Sequence, residues 1–197
     1  MKKINAVCVF CASSQHVPQI YKDHARLLGG LLAASGVEVI SGGGAFGLMA
    51  YLHDGVLASG GHVKAVIPGF MVDAGWLYPG LDDVCVTADM QSRKRRMLEA
   101  ADAVLVLPGG CGTLDEAMEV LTLKQLGLFT APIVFVNTNG YYDLLIQHLI
   151  RQAHECFMNP EHTGLWAVAD TPARAVELIK TLPDWDTAQG KLPLKTD

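Results

Sequence analysis

The stretch Met90–Gly127, MQSRKRRMLEAADAVLVLPGGCGTLDEAMEVLTLKQLG, decides how the rest of the chain is read. At its centre, Ala103 to Leu107 (AVLVL) is a short apolar, β-branched run between turn signals, the pattern of a strand buried on both faces of a parallel sheet. Pro108 ends it. Gly109, Gly110 and Gly112 then free the backbone of Cβ atoms, so that several N–H groups can converge on one oxyanion, and Thr113 adds a hydroxyl. The spacing predicts a helix from Thr113 to Leu126. Its first N–H groups and its macrodipole favour an anion, so strand, glycine turn and helix start together form a phosphate cradle.

The same residues carry a second reading. Thr113-Leu114-Asp115-Glu116 is also a T-x-x-E capping box, in which Glu116 reaches back to its own helix terminus. Upstream, Arg93, Lys94, Arg95 and Arg96 open the preceding helix, which a β-α-β order returns to the same sheet. Four consecutive helical residues fan around the axis and cannot all face one cleft. Arg95 and Arg96 have Glu99 at i+4 and i+3 and read as a solvated face. Arg93 and Lys94 have no such partner in the following turn and are directed to the cleft.

Met90-x-x-Arg93-Lys94 followed by Pro108-Gly-Gly-x-Gly-Thr-x-x-Glu116 resembles the paired signature of the Lonely guy (LOG) family, cytokinin riboside 5′-monophosphate phosphoribohydrolases often described as lysine decarboxylases. The likeness runs to about Lys180. Gly42-Gly43-Gly44-x-x-Gly47-Leu48-Met49 is similar to the family's second glycine motif. The resemblance implies a Rossmann-like homodimer that hydrolyses the N-glycosidic bond of a cytokinin-type or purine (AMP-like) nucleoside 5′-monophosphate to free base and ribose 5-phosphate. Arg93 and Glu116 take the catalytic positions. Taken with the reading of the residues, Ser13, Gly43, Gly44, Met90, Lys94, Gly110, Gly112 and Thr113 are the expected substrate contacts, with no cofactor and no metal. Gln91 and Ser92 stand where members commonly carry His-Glu, a departure that bears on base preference.

A chain of 197 residues, half of them apolar, fits one α/β domain with a full core, here placed at 1–182, followed by a polar, proline-containing tail at 183–197 that is expected to be loosely attached. A formal net charge of −5 argues against a nucleic-acid surface, so an anionic substrate has to be met by local positive potential. Five scattered cysteines, Cys8, Cys11, Cys85, Cys111 and Cys156, suit a reducing cytoplasm rather than a disulfide framework. Cys8 and Cys11 match C-x-x-C, but they lie in an apolar strand with no second pair to complete a zinc tetrahedron, and read as structural. The apolar run after Met1-Lys2-Lys3 is short and broken by Asn5, which favours a first strand over a signal peptide. No stretch reaches the ~18–20 apolar residues of a membrane span.

Along the chain, strands are expected at Ala6 to Cys11, Val37 to Ser41, Val63 to Ile67, Val84 to Thr87, Ala103 to Leu107, Pro132 to Val136 and a short element at Trp166 to Val168. Helices are expected at Pro18 to Ala34, Leu48 to Ala58, Tyr142 to His154 and Pro172 to Thr181. The order predicts a doubly wound parallel sheet with its ligand loops on one edge. Ser13 and Ser14 follow the first strand there, as phosphate or ribose contacts or as turn caps. Gly42 to Gly47 formally satisfies G-x-G-x-x-G, but it follows the second strand and lacks the later ribose-binding acid of a dinucleotide site, so it is read as a close approach to a smaller ligand. The aromatic segment from Gly69 to Asp83, with Trp76 and Tyr78, either borders a base pocket or is an anchored surface loop. The helix after the glycine turn is apolar over most of its circumference, which predicts burial against the sheet and against a partner subunit. His148, His154 and His162 are too widely spaced for a metal site and read as surface and loop residues.

The chemistry implied by the resemblance needs a carboxylate near the anomeric carbon, to stabilise oxocarbenium charge and orient water, and Glu116 lies one turn beyond the cradle. Arg93 either clamps phosphate or ribose hydroxyls or holds Glu116 ionised. Pyridoxal phosphate chemistry is disfavoured, since Lys124, the nearest lysine for a Schiff base, lies two turns further along a buried helix. The competing class is a non-catalytic nucleotide or phosphorylated-cofactor carrier, which has no use for a carboxylate at that position.

Overall fold

The computed structural model describes residues 2–187. Seven strands form a single parallel sheet: β1 (Ala6–Phe10), β2 (Glu38–Ser41), β3 (Val63–Pro68), β4 (Asp83–Thr87), β5 (Ala103–Val106), β6 (Ile133–Val136) and β7 (Ala167–Ala169), in the spatial order β4-β3-β2-β1-β5-β6-β7. The helices between them are α1 (Gln19–Ala34), α2 (Gly47–Ala58), α3 (Gly69–Asp73), α4 (Met90–Glu99), α5 (Cys111–Gln125), α6 (Asp143–His154) and α7 (Pro172–Thr181). The strand order reverses at β1, so the crevice between β1 and β5 lies at the topological switch point.

Alternation along the central strands divides the core in two, because successive side chains point to opposite faces. Val7, Val9, Val39 and Leu105 pack with α1, α2 and α7. Cys8, Phe10, Ile40, Val104, Val106 and Phe135 pack with α4, α5 and α6. β1, β5 and β6 are buried along their whole length, which is why they read as unbroken apolar runs. No described helix is long and apolar enough to cross a membrane.

Three sequence expectations change. The aromatic segment is not a plain loop: it contains α3 and then pairs Leu77 with Gly44 in an antiparallel bridge, with Ala45 N–H donating to Trp76 O and Tyr78 N–H to Gly43 O, both at 2.8 Å. His162 is fully buried against Trp185 rather than exposed, because a short 3-10 turn folds it inward. The tail expected to be loose from Pro183 is fastened in its described part: Trp185 N–H donates to Thr130 O at 2.8 Å and Asp184 pairs with Lys2 at 2.5 Å. Its remainder, 188–197, lies outside the described residues.

Candidate active site

A cavity of about 420 Å³ opens at the carboxyl ends of the strands, and the loops after β1, β2, β3 and β5 all reach it. Ser13, Gly44, Met90, Arg93, Gly110, Gly112, Thr113 and Glu116 line it, as read from the sequence.

The cradle forms because α5 begins earlier than its periodicity predicts. Gly110 is the N-cap and Cys111 the first helical residue, with no side-chain cap, so the first-turn N–H groups face the cavity. This placement removes the capping-box alternative. Thr113 sits inside the first turn rather than before it, and Glu116 is too far along the helix to reach back to the terminus. From behind, two tyrosines hold the turn: Tyr141 Oη donates to Gly109 O at 2.8 Å and Tyr142 Oη to Leu107 O at 2.7 Å.

Glu116 and Arg93 meet across the cleft, Arg93 Nη1 lying 3.7 Å from Glu116 Oε1, with side chains only 8% and 10% exposed respectively. Arg93 is fixed by Nε donating to Val66 O at 3.1 Å and by Nη1 lying 3.7 Å from Met90 Sδ. Its guanidinium lies against Gly42, where a Cβ would fall 1.8 Å from Nη2, so any larger residue there must displace it. Burial pushes the Glu116 carboxyl up to about 7; Arg93 and Lys94 oppose that rise, while Asp115 and Glu119 add to it. A carboxyl poised there can exchange a proton near neutral pH.

Two expected contacts are not at the cavity. Lys94 is buried, but its ammonium is taken by Asp115 at 2.9 Å and by Glu119, both on α5. Gly43 is turned away, with φ 71° and its Cα beside Ala65, while its neighbours Gly42 and Gly44 do line the cavity. Gly43 serves the loop's shape: its N–H donates to Ser41 Oγ at 3.2 Å, and that hydroxyl is 2.7 Å from Nε2 of the buried His53. Burial lowers the His53 pKa to about 4, so the ring is neutral beneath the loop.

Among the other lining residues, Phe46, Ile67 and Met71 are not among the expected contacts. With Met49 and Trp76 they make one wall apolar, and Trp76, whose segment reads from sequence as either bordering a base pocket or an anchored loop, is brought there by the antiparallel bridge. Cys11 and Cys111 also reach the cavity, the first buried and the second exposed. Ser92, which departs from the LOG signature, has a local purpose: with Asp89 it completes the capping box of α4, Ser92 N–H donating to Asp89 Oδ1 at 2.7 Å and Asp89 N–H to Ser92 Oγ at 3.2 Å. That cap fixes the start of the helix that carries Arg93. Glu38, His62 and Asp83 do cluster at metal-ligand spacing, but at the starts of β2, β3 and β4, at the other end of the sheet.

Comparison with known proteins shows the family. A family model described as "Possible lysine decarboxylase" matches residues 49–179. Cytokinin riboside 5′-monophosphate phosphoribohydrolase LOG1 of Arabidopsis thaliana is 36% identical over 98% of this chain and 89% of its own length. Its relative LOG3 from the same plant is 34% identical over 98% of this chain and 88% of its length. Among solved structures, the molybdenum cofactor binding protein of Rippkaea orientalis superposes with TM-score 0.71 at 22% identity, covering 92% of this chain and 98% of that one, a likeness of fold alone. The X-ray structure of a structural-genomics target, TM1055, gives TM-score 0.72 at 26% identity over 90% of this chain and 99% of that one. Fold, paired signature and full-length similarity converge, and the chain belongs to the LOG family, whose family model carries the lysine decarboxylase description.

Proposed function

We propose that this chain hydrolyses the N-glycosidic bond of a purine-type nucleoside 5′-monophosphate, with Arg93 and Glu116 as its catalytic residues. The observation that carries the reading is the buried Arg93–Glu116 pair at 3.7 Å, facing the open start of α5 across one cavity. The 5′-phosphate is held at the N–H groups from Cys111 to Thr113, and the base lies along the apolar wall of Phe46, Met71 and Trp76. The ribose then spans to Glu116. Its carboxylate stabilises positive charge developing at the anomeric carbon and orients a water, whose hydroxyl adds to that carbon while its proton ends on the departing base. The LOG relatives at about one-third identity support the phosphoribohydrolase class.

The working unit in this reading is a homodimer in the cytoplasm. Leu126 and Leu128, at 63% and 73% exposure, continue the half-buried Leu114, Met118 and Leu123 of α5 into an apolar face that a second copy covers. Sedimentation showing only monomer at micromolar concentration counts against it.

The deciding experiment incubates the protein with a panel of nucleoside 5′-monophosphates, AMP and N6-substituted analogues included, and measures free base and ribose 5-phosphate. Release of both from at least one nucleotide, lost in Arg93→Ala together with much of the binding, supports the reading. Tight nucleotide binding with no release makes the protein a carrier instead.

A further inference from the structure

Lys94 is buried at 6% exposure beside a cavity it does not line, and it is the residue whose contacts depart furthest from what the motif predicts. Its ammonium lies between Asp115 and Glu119, one turn apart on α5, which places two anions around one buried cation. Asp115 directly precedes Glu116, and Glu119 lies on the same side of the helix at i+3 from it. Successive residues of α4, Arg93 and Lys94, therefore meet successive residues of α5, Glu116 and Asp115. The groups facing Glu116 are Arg93 and Lys94 from α4, Asp115 and Glu119 from α5, and the thiols of Cys8 and Cys11 at β1.

We infer that Lys94 is a positioning residue rather than a substrate contact: it ties α4 to α5 through Asp115 and Glu119, so that Arg93 and Glu116 are held face to face while the two acids beside Glu116 are neutralised. The inference rests on the catalytic reading above for its consequence but not for its geometry. A buried ammonium without partners is strongly destabilising, and here the two carboxylates satisfy it, so the contact specifies helix register as well as charge. Burial alone would disfavour the charged lysine; Glu119 and Asp115 outweigh it and raise its pKa above the usual lysine value.

The test follows the Glu116 carboxyl by ¹³C NMR of glutamate-labelled, ligand-free protein, with Glu116→Gln identifying the signal. In Lys94→Met, two uncompensated acids then face Glu116, and its midpoint moves up from about 7 by about one pH unit. In Glu119→Gln, one acid is removed while Lys94 stays, and the midpoint moves down. For base release, Lys94→Met lowers kcat about 10- to 100-fold with KM changed less than about threefold, and Lys94→Arg recovers most of the loss. An unmoved Glu116 midpoint in both variants overturns the inference, and so does a loss confined to KM, which would make Lys94 a substrate contact. If Lys94→Met does not fold, Glu119→Gln decides alone: a downward shift supports the inference, and no shift or an upward one overturns it. Absence of base release by the native protein defeats the catalytic reading, while the NMR titration still judges Lys94.

Discussion

Two lysines, Lys94 at the carboxyl edge of the sheet and Lys124 at the amino edge, are buried almost equally, at 6% and 4% exposure, yet their pKa values move in opposite directions. Lys94 has two carboxylates and is held charged. Lys124 donates to Ala131 O at 2.9 Å beside a second cavity, of about 370 Å³, and burial lowers its pKa to about 8. Burial sets the cost of a charge, and the partner decides whether the protein bears it. The buried charges of Arg93 and Lys94 lie around Glu116 at the carboxyl edge. At the amino edge, buried Lys124 donates to a carbonyl, with Asp184 and Lys2 acting on it in opposite senses.

The largest expected effect breaks the carboxyl-edge assembly at its centre. Glu116→Gln lowers turnover at least about 10³-fold while nucleotide affinity, measured by calorimetry, stays within a few-fold, because the cradle is intact. In the native protein, base release falls as pH drops through about 7, where Glu116 gains its proton. The sign for stability is opposite to that of an ordinary salt-bridged acid. A carboxyl raised from 4.5 to about 7 leaves the folded state unpenalised below pH 4.5 and progressively penalised up to pH 7. Glu116→Gln should therefore gain about 1–3 kcal/mol over the native protein at pH 8, and much less at pH 4.5, in denaturant titrations. Full hydrolysis by this variant would remove the catalytic assignment.

Gly42→Ala tests the same edge sterically. The new Cβ meets Arg93 Nη2 at 1.8 Å and displaces the guanidinium, so turnover falls about 10- to 100-fold. A variant with native turnover would show that Arg93 tolerates displacement. The smallest effect belongs to the amino edge. Lys124→Met leaves turnover unchanged and raises stability by about 1 kcal/mol at pH 7, after the loss of one hydrogen bond. Since the folded lysine titrates near 8 rather than the usual 10.5, that gain shrinks as pH rises from 8 to 10.5. A gain independent of pH would mean that packing, not charge, separates the two lysines.

Much of this edge was legible in the sequence. Buried strands such as AVLVL have one composition whatever surrounds them, and Arg93, Glu116, Gly110, Gly112 and Thr113 fall into place once β1 and β5 are adjacent. What failed were choices between neighbours. Gly42, Gly43 and Gly44 are indistinguishable by type, and only the path of the loop decides which one meets Arg93. Lys94 had no acid in the following turn of its own helix, and its partners came from α5. Trp76 stays between two readings in the sequence because the backbone bridge that carries it to the cavity leaves no side-chain pattern, and Tyr141 and Tyr142 reached the glycine turn from beyond β6. Sequence spacing reports contacts along one element; contacts between elements need the topology.

The ion pair between Lys2 and Asp184 joins residues at opposite ends of the described chain. Lys2 N–H also donates to Lys180 O at 3.2 Å, so both contacts of Lys2 reach across nearly the whole described chain at the amino edge of the sheet. The cavity lies at the other end of the strands. Lys2 and Asp184 are 182 positions apart, so a covalent bridge between them would close a loop around almost the entire fold, removing chain entropy from the unfolded state while leaving the cleft untouched.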